Sequence, residues 1–258
     1  MESVVDFPVT PVAEANKNLT DYVTAPLSSA QIVQFSARKI VRVLTGIFLF
    51  LFGLHLLTVV AYQFHIAPNY TLYGKFYFDQ ERNFPSYFSS LLLLLVAVLL
   101  RLIATTKHRQ YDPFSQHWKW LAAIFVFLGL DEAISLHELL IDPLREAWHT
   151  SGYLRFPWVV VGGILVLSIG LYYLRFLRSL PASTQWRFAL AGFLYVLGTI
   201  GMEMVSGSFF IETDLHNLPY EFTMTIEETL EMTSMIFFVA TLLKYIQRRE
   251  YDTTIEIR

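Results

Sequence analysis

The run Leu91-Leu-Leu-Leu-Leu-Val-Ala-Val-Leu-Leu100 decides the fold class of this chain. It lies in an apolar block, residues 86–105, and about 20 mainly apolar residues are enough to cross a bilayer as a helix. One such run could be a buried helix of a soluble protein, but six of them joined by short polar links could not pack in one soluble domain. We therefore predict an all-α integral membrane bundle of six transmembrane helices. The other five blocks are residues 40–64, 118–140, 156–177, 188–210 and 222–246.

Composition supports a lipid environment and excludes several function classes. Of the 258 residues, 54% are hydrophobic and 16% are charged, whereas soluble domains carry about 25% charged residues. A net charge of −3 gives no basic surface for nucleic acid. The absence of cysteine excludes disulfides and thiolate metal sites. We predict a polar N-terminal tail over residues 1–37 without a cleavable signal peptide, a transmembrane domain over 38–248 and a C-terminal tail over 249–258.

The distribution of lysine and arginine predicts the orientation. Basic residues are in excess before the first block, between the second and third, between the fourth and fifth, and after the sixth. The positive-inside rule places these segments in the cytoplasm. We expect a multi-pass protein of the cell (inner or plasma) membrane with both termini cytoplasmic and the first, third and fifth connections outside. Five tryptophans fall near predicted helix ends, as in an interfacial aromatic belt.

The stretch Leu130-Asp131-Glu132-Ala133-Ile134-Ser135-Leu136-His137-Glu138 places four ionisable residues within eight positions of the third block. Ionisable residues inside a membrane are costly, face a bundle interior or water, and suggest function. At 100° per residue, Asp131, Ser135 and Glu138 share one side of a continuous helix. Glu132 and His137 then point away from the Asp131 side.

Acids in other helices fall in the same layer of the membrane. With a rise of 1.5 Å per residue, Asp131, Glu203 and His55 lie roughly 20 Å above the cytoplasmic side. The acids of Glu227-Glu228-Thr-Leu-Glu231 lie roughly 8–14 Å below the outer edge. No lysine or arginine is predicted at that height. The second and fourth helices contribute no acid there, and we expect them to be peripheral or structural.

This layer predicts a cation site in the outer half of the bilayer. An unpaired acid at the membrane centre costs about 2.5–3.5 kcal/mol, so these groups must be protonated, hydrated or bound to cations. Carboxylate oxygens suit Mg, Ca or Mn, and an imidazole admits Zn or Fe. The leading hypothesis is binding of a divalent metal ion or of protons for transport or sensing. Its predicted ligands are Asp131, Glu203, Glu228 and Glu231, with His55, Glu138, Glu132, Glu227 and His137 around them.

Other interpretations of the same residues stay open. An intramembrane metal-dependent hydrolase acting on lipid would use the same cluster, and Ser135-Leu136-His137 distantly resembles hydrolases of the alkaline ceramidase type, although their paired His-x-x-x-His is absent. A non-catalytic membrane assembly protein would use the acids as a structural polar network. Met202-Glu203-Met204 and Met232-Thr-Ser-Met235 offer thioethers to Cu(I), but methionine as flexible core filler explains them as well. The bilayer and a cation or small-molecule substrate are the predicted partners.

Two motifs carry a family resemblance. Leu130-Asp131-Glu132…Ser135-Leu136-His137-Glu138 and Glu227-Glu228-Thr-Leu-Glu231-Met232 resemble sequences of a group of uncharacterised bacterial polytopic membrane proteins. The resemblance covers these two motifs and the general layout of the helices. It implies a bacterial cell membrane, and it supplies no activity.

Overall fold

The computed structural model describes residues 36–64, 74–214 and 216–255, with side chains as far as Arg248. Within these residues the chain is helical and contains no strand, so the all-α prediction is confirmed. Almost all of the two predicted tails lies outside the described side chains. The helices are α1 Ala37–Gln63, α2 Phe84–Arg109, α3 Ser115–Ile134, α4 Ile141–Trp148, α5 Trp158–Ser179, α6 Ala182–Val196, α7 Glu203–Phe209 and α8 Leu218–Ile255.

Five stretches of the described chain are long and apolar enough to cross a membrane, which fits a multi-pass membrane protein. They are α1, α2, α5, the continuous stretch Ala182–Phe209 that joins α6 to α7, and Leu218–Arg248 of α8. Helix α3 has 20 residues, a length of about 30 Å. It is not among these five stretches because three charged residues lie in it, Lys119, Asp131 and Glu132. The sixth span therefore stays a prediction.

Helix α2 is the centre of the bundle. Its residues Leu93, Val96 and Leu100 are completely buried, and it packs along α3 and α8. A helix that is apolar around most of its circumference can be enclosed by neighbours on several sides. We expected this helix to be peripheral or structural because it lacks acids. Its burial shows that the peripheral alternative is wrong and agrees with the structural one.

The apolar half of the bundle contains an aromatic cluster at the start of α3. The ring of Trp118 is 1% exposed and lies 4.9 Å from Phe176, 5.7 Å from Phe188 and 5.2 Å from Tyr245. Four helices therefore meet at one indole. Trp118 is a core residue and not part of an interfacial belt, because packing inside the bundle buries more of its surface than the interface would.

Helix α3 ends at Ile134, six residues before the end of the predicted block. Ser135 adopts a left-handed conformation, with φ 54° and ψ 49°, and its N–H donates to the Asp131 carbonyl at 2.6 Å. A left-handed residue closes a helix and turns the chain away from its axis. The chain then forms a 3-10 turn, His137–Leu140, and helix α4. The predicted common helix face of Asp131 and Glu138 is therefore wrong.

A wider turn joins α6 to α7. Residues Leu197–Met202 are π-helical, and α7 continues from Glu203. Gly198 in this turn packs directly on α8: a Cβ there would lie 2.9 Å from Glu231 Cγ and 3.0 Å from the Glu227 carbonyl. Only glycine permits this approach without a shift of the backbone. The π-helical turn therefore brings Glu203 beside the acids of α8.

Candidate functional site

Three connections between helices meet at one end of the bundle, which we call the acidic end. The structure describes them over residues 74–83, residues 135–157, and residues 210–214 with 216–217. Together with the adjoining ends of α3, α7 and α8 they enclose a cavity of about 290 Å³. Eight of the nine predicted ligand residues line this cavity. They are Asp131, Glu132, His137, Glu138, Glu203, Glu227, Glu228 and Glu231.

The ninth predicted ligand, His55, lies elsewhere. It is completely buried, and its Nδ1 accepts a hydrogen bond from the Phe78 N–H at 3.2 Å. Nε2, which therefore carries the proton, lies 2.9 Å from Thr225 Oγ1. The ring also stacks on Phe78 at 4.1 Å between centroids. Both nitrogens of His55 thus hold α1, α8 and the first connection together, and neither faces the cavity.

The first connection supplies two acids that the sequence did not suggest, Asp79 and Glu81. Tyr77 and Phe78 are buried between the helices, and this anchors the segment against the bundle. The Tyr220 hydroxyl donates to Asp79 Oδ1 at 2.8 Å. In the sequence these acids lie in a polar connection that also contains Lys75 and Arg82. The signal for their position was the run of aromatic residues 76–78 within a polar connection.

Enclosure by protein changes how these two carboxyls titrate. Desolvation raises the pKa of Asp79 to about 7, against the lowering effect of the Tyr220 hydrogen bond and with help from Glu221 and Glu81. One side of Asp79 stays open to the cavity, so water there screens part of the shift. Desolvation, followed by the charge of Glu138, raises the pKa of Glu81 as well. Both groups therefore bind protons more readily than a carboxyl in water.

Asp131 and His137 form a dyad at the end of α3. The His137 backbone N–H donates to Asp131 Oδ1 at 2.8 Å, and its ring Nδ1 lies 3.0 Å from Asp131 Oδ2. The left-handed Ser135 makes this possible, because it folds the chain back over the last turn of α3. The interpretation that His137 points away from Asp131 is therefore wrong.

His137 is the cationic group of the cavity. Burial by itself lowers the pKa of His137, but the hydrogen bond and charge of Asp131, with Glu203 and Glu81, raise it to about 9. The imidazole is therefore protonated at neutral pH and pairs with Asp131. Among the described residues no lysine or arginine lines the cavity.

Few hydrogen-bond donors reach the other acids. The Trp158 indole N–H donates to Glu203 Oε1 at 2.8 Å, and the Ser206 hydroxyl donates to Glu227 Oε2 at 3.0 Å. Glu231 is 8% exposed and has the hydroxyl of Thr199 beside it. That hydroxyl also donates to the Tyr195 carbonyl at 2.9 Å, so an ionised Glu231 has to share its one proton with this carbonyl.

The balance of charge is therefore strongly negative. Nine carboxyl side chains line the cavity, including Asp79 and Glu81, and one histidine opposes them. In the part of the chain that the structure describes, no three of these groups converge tightly enough to form a ready metal-binding cluster. The carboxyls are spread around the walls instead. Such an arrangement can take up protons, or cations that reach several walls at once.

Aromatic side chains form much of the remaining wall: Phe156, Trp158, Tyr195, Phe210 and Tyr220. Sequence patterns do not indicate this wall, because all of these residues except Tyr195 lie within two positions of a predicted helix end and fit an interfacial belt equally well. Trp158 in particular is buried, and its ring lies 4.7 Å from the ring of His137. The cavity thus combines carboxylates with aromatic rings.

Comparison with curated proteins and with solved structures finds no match. A family model described as "Domain of unknown function (DUF8692)" matches residues 41–245. The match spans α1 to most of α8 and includes the residues of the cavity. It agrees with the resemblance to an uncharacterised family, while the bacterial source stays a prediction. The chain belongs to the family described as Domain of unknown function (DUF8692).

Proposed function

We propose that this protein binds cations, as protons or divalent metal ions, in the cavity of the acidic end, and that this binding serves transport or sensing across a cell membrane. One observation carries the proposal: nine carboxyl side chains from separate parts of the chain line one cavity against a single histidine.

The physical argument is the cost of unbalanced charge. His137 balances Asp131, and the described residues supply no cation for the other eight of the nine carboxyls. Ionised groups that are removed from water need a partner or a proton, because their solvation is lost and like charges repel. A fold that assembles so many acids from separate elements pays this cost in every state that lacks a cation. Cation uptake is the function that removes it.

Topology supports uptake from the non-cytoplasmic side. If α3 spans together with the other five stretches, its 20 residues match a core of about 30 Å. The excess of lysine and arginine at the opposite end of the bundle favours a cytoplasmic position for that end. The acidic end would then open outward, with both termini inside.

The test is thermal unfolding of the purified protein in detergent, with Ca²⁺, Mn²⁺ or Zn²⁺ and over pH 5–8. We compare the wild type with the double variant Glu228→Gln/Glu231→Gln. The matched control is Asp142→Asn/Glu146→Gln, which removes two exposed acids on α4 outside the cavity. We expect a divalent ion or acidic pH to raise the Tm of the wild type and of the control, and to raise that of the cavity variant by less than half as much. A wild type that responds to neither, or a cavity variant that responds in full, contradicts the proposal.

The dyad favours a second candidate, a metal-dependent hydrolase of lipids. A carboxylate that holds Nδ1 of a histidine leaves Nε2 to bind a metal or to transfer a proton, once the imidazole is deprotonated. Both residues of the dyad line the cavity. His137 Nδ1 lies 3.0 Å from Asp131 Oδ2. Hydrolysis of bilayer lipids by purified protein with divalent ions, abolished by His137→Gln and kept by the exposed-site variant His108→Gln, would establish it. Absence of hydrolysis in the wild type under every metal condition would exclude it.

A further inference from the structure

We propose that the acidic cavity, in addition to protons or divalent metal ions, takes up an organic ammonium ion, a small aliphatic amine with one or more positive nitrogens. The inference rests on the proposed function, because it adds one class of cation to those that the cavity binds. Three independent features of the wall carry it: aromatic rings, a buried carboxyl whose neighbouring hydroxyl is shared with a carbonyl, and the size of the cavity.

Aromatic rings are the first feature. An ammonium ion is attracted to the face of an indole or phenol ring, and its methylene groups pack on the same rings. Trp158, Tyr195 and Tyr220 line the cavity. Two of the three are held next to acids by their own polar ends, Trp158 by Glu203 and Tyr220 by Asp79, each at 2.8 Å. At two places on the wall a ring and a carboxyl are therefore neighbours, which suits a cation with an apolar stem. A bare metal ion makes no use of the rings.

The second feature is Glu231. Its side chain lines the cavity and is more than nine-tenths buried. The neighbouring Thr199 hydroxyl also donates to the Tyr195 carbonyl at 2.9 Å. An ionised Glu231 therefore has to share the one proton of that hydroxyl, and an N–H of a bound ammonium ion would supply a donor of its own. Tyr195 lies in the same wall, so one positive nitrogen can meet a carboxylate and an aromatic ring together.

Size is the third feature. The cavity volume of about 290 Å³ is close to the lower limit for sites that hold small organic ligands, about 300 Å³. A single water occupies about 30 Å³ in the liquid, so one ion with its ligands would leave most of this space unfilled. Carboxyls on different elements, such as Asp79 of the first connection and Glu231 of α8, offer separate sites for two ammonium groups of one molecule.

The experiment measures binding to the full-length protein in detergent at constant ionic strength, by tryptophan fluorescence and by thermal shift. The probes are putrescine, spermidine and tetramethylammonium, and butane-1,4-diol is the uncharged control with the shape of putrescine. Ca²⁺, Mn²⁺, Zn²⁺ and pH are titrated in parallel. The variants are Tyr195→Leu, which removes the ring, Tyr195→Phe, which keeps it, and Glu231→Gln, which removes the buried charge at similar volume.

We expect the amines to bind and the diol not to bind. Tyr195→Leu and Glu231→Gln should each weaken amine binding about tenfold, and Tyr195→Phe by less than threefold. Divalent ions or protons that bind while no amine does would overturn this inference and leave the proposed function standing. No response to any cation would overturn both. Amine binding that is equally strong in Tyr195→Leu and Glu231→Gln would show non-specific charge screening and would also overturn the inference. A folding defect in Tyr195→Leu would appear as a low Tm beside that of Tyr195→Phe, which keeps the ring. In that case competition between tetramethylammonium and spermidine for the wild type takes the place of the Tyr195→Leu measurement. Absence of competition would contradict a shared site.

Discussion

The two halves of α8 lie in opposite surroundings. Met232, Met235, Val239 and Leu242 are almost completely buried in the apolar core, whereas Glu227, Glu228 and Glu231 line the acidic cavity. The change takes place between two adjacent residues, Glu231 and Met232. The apolar half contributes stability through packing, and the acidic half carries charges that oppose it. The apolar end of this bundle is therefore a scaffold for an energetically unfavourable site at the acidic end.

Helix α3 repeats the pattern in the opposite direction along the chain. Trp118, Ala122 and Phe125 of its first half are buried in the core, and Asp131 and Glu132 of its last turn line the cavity. Outside the cavity a buried charge of the same chain has a close partner of opposite sign: Lys107 Nζ lies 2.5 Å from Asp112 Oδ2. The imbalance at the acidic end is therefore a local property of the site and not a general property of the protein.

The largest expected effect is a truncation in the apolar half. Leu93 is completely buried at the centre of α2, and a cavity left by Leu→Ala costs about 2–5 kcal/mol. Leu93→Ala should therefore lower the Tm strongly and leave the relative cation response of the folded protein unchanged. Leu91→Ala, two residues away on the exposed side of the same helix, should have little effect on thermal unfolding. Equal losses in the two variants would contradict the central position of α2.

A pH dependence should come from the acidic end. The pKa of His137 rises from 6.5 to about 9, so the native state holds this proton more tightly than the unfolded chain does. Its stabilisation is complete below pH 6.5 and is lost as the pH rises to 9, by about 3 kcal/mol. His137→Gln should remove this decline in thermal unfolding, and His108→Gln, at an exposed position, should keep it. The raised pKa of Asp79 should cause a separate decline as the pH rises from about 4 to 7, and this part should survive in His137→Gln.

The close packing of the π-helical turn on the acidic half of α8 can be tested at Gly198. An added methyl group would meet Glu231 Cγ at 2.9 Å and the Glu227 carbonyl at 3.0 Å. Overpacking of this kind costs about 1–3 kcal/mol. We expect Gly198→Ala to lower the Tm and to weaken the cation response, because it separates Glu203 from α8. Gly192→Ala in α6 is the control, since nothing lies within 4 Å of its added Cβ. A Gly198→Ala protein with unchanged stability and response would show that the close approach is dispensable.

The smallest expected effect has the opposite sign. Glu231→Gln removes one charge from the crowded wall at nearly the same volume, and the new amide can donate to neighbouring carboxylates. At pH 8 we expect stability to rise by about 1 kcal/mol, in contrast to the losses in the apolar half. Urea or thermal unfolding without added cations measures this. A destabilisation at pH 8 would show that Glu231 has a protein partner in the wild type.

Much of the fold could be predicted because hydrophobicity acts locally. The long apolar runs of α1, α2, α5 and α8 must be helical wherever they lie in the bundle. A bilayer offers no hydrogen-bond partner to a free N–H or a free carbonyl, so the backbone has to satisfy its own groups. The depth of the acids could be estimated in the same way, from the rise per residue alone. Eight of the nine predicted residues consequently lie around one cavity.

The remaining features of the site depend on backbone breaks and on packing between distant segments. Ser135 ends α3 in a left-handed turn, which no hydrophobic pattern signals, and this turn gives His137 its position on Asp131. His55 has the depth of a ligand but faces Phe78 and Thr225, because the rotation of a helix about its own axis is decided by its neighbours. Asp79 lines the cavity because the buried residues Tyr77 and Phe78 hold the first connection against the bundle.

The sequence by itself therefore determined that the chain forms apolar helices with an excess of acids near one end, because burial energy and residue spacing along a helix are local properties. Only the tertiary structure decided which acids share a cavity, which histidine balances them and which rings stand beside them. Those relations depend on helix rotation, on a left-handed turn and on the close approach at Gly198, all of which arise from contacts between residues far apart in the chain.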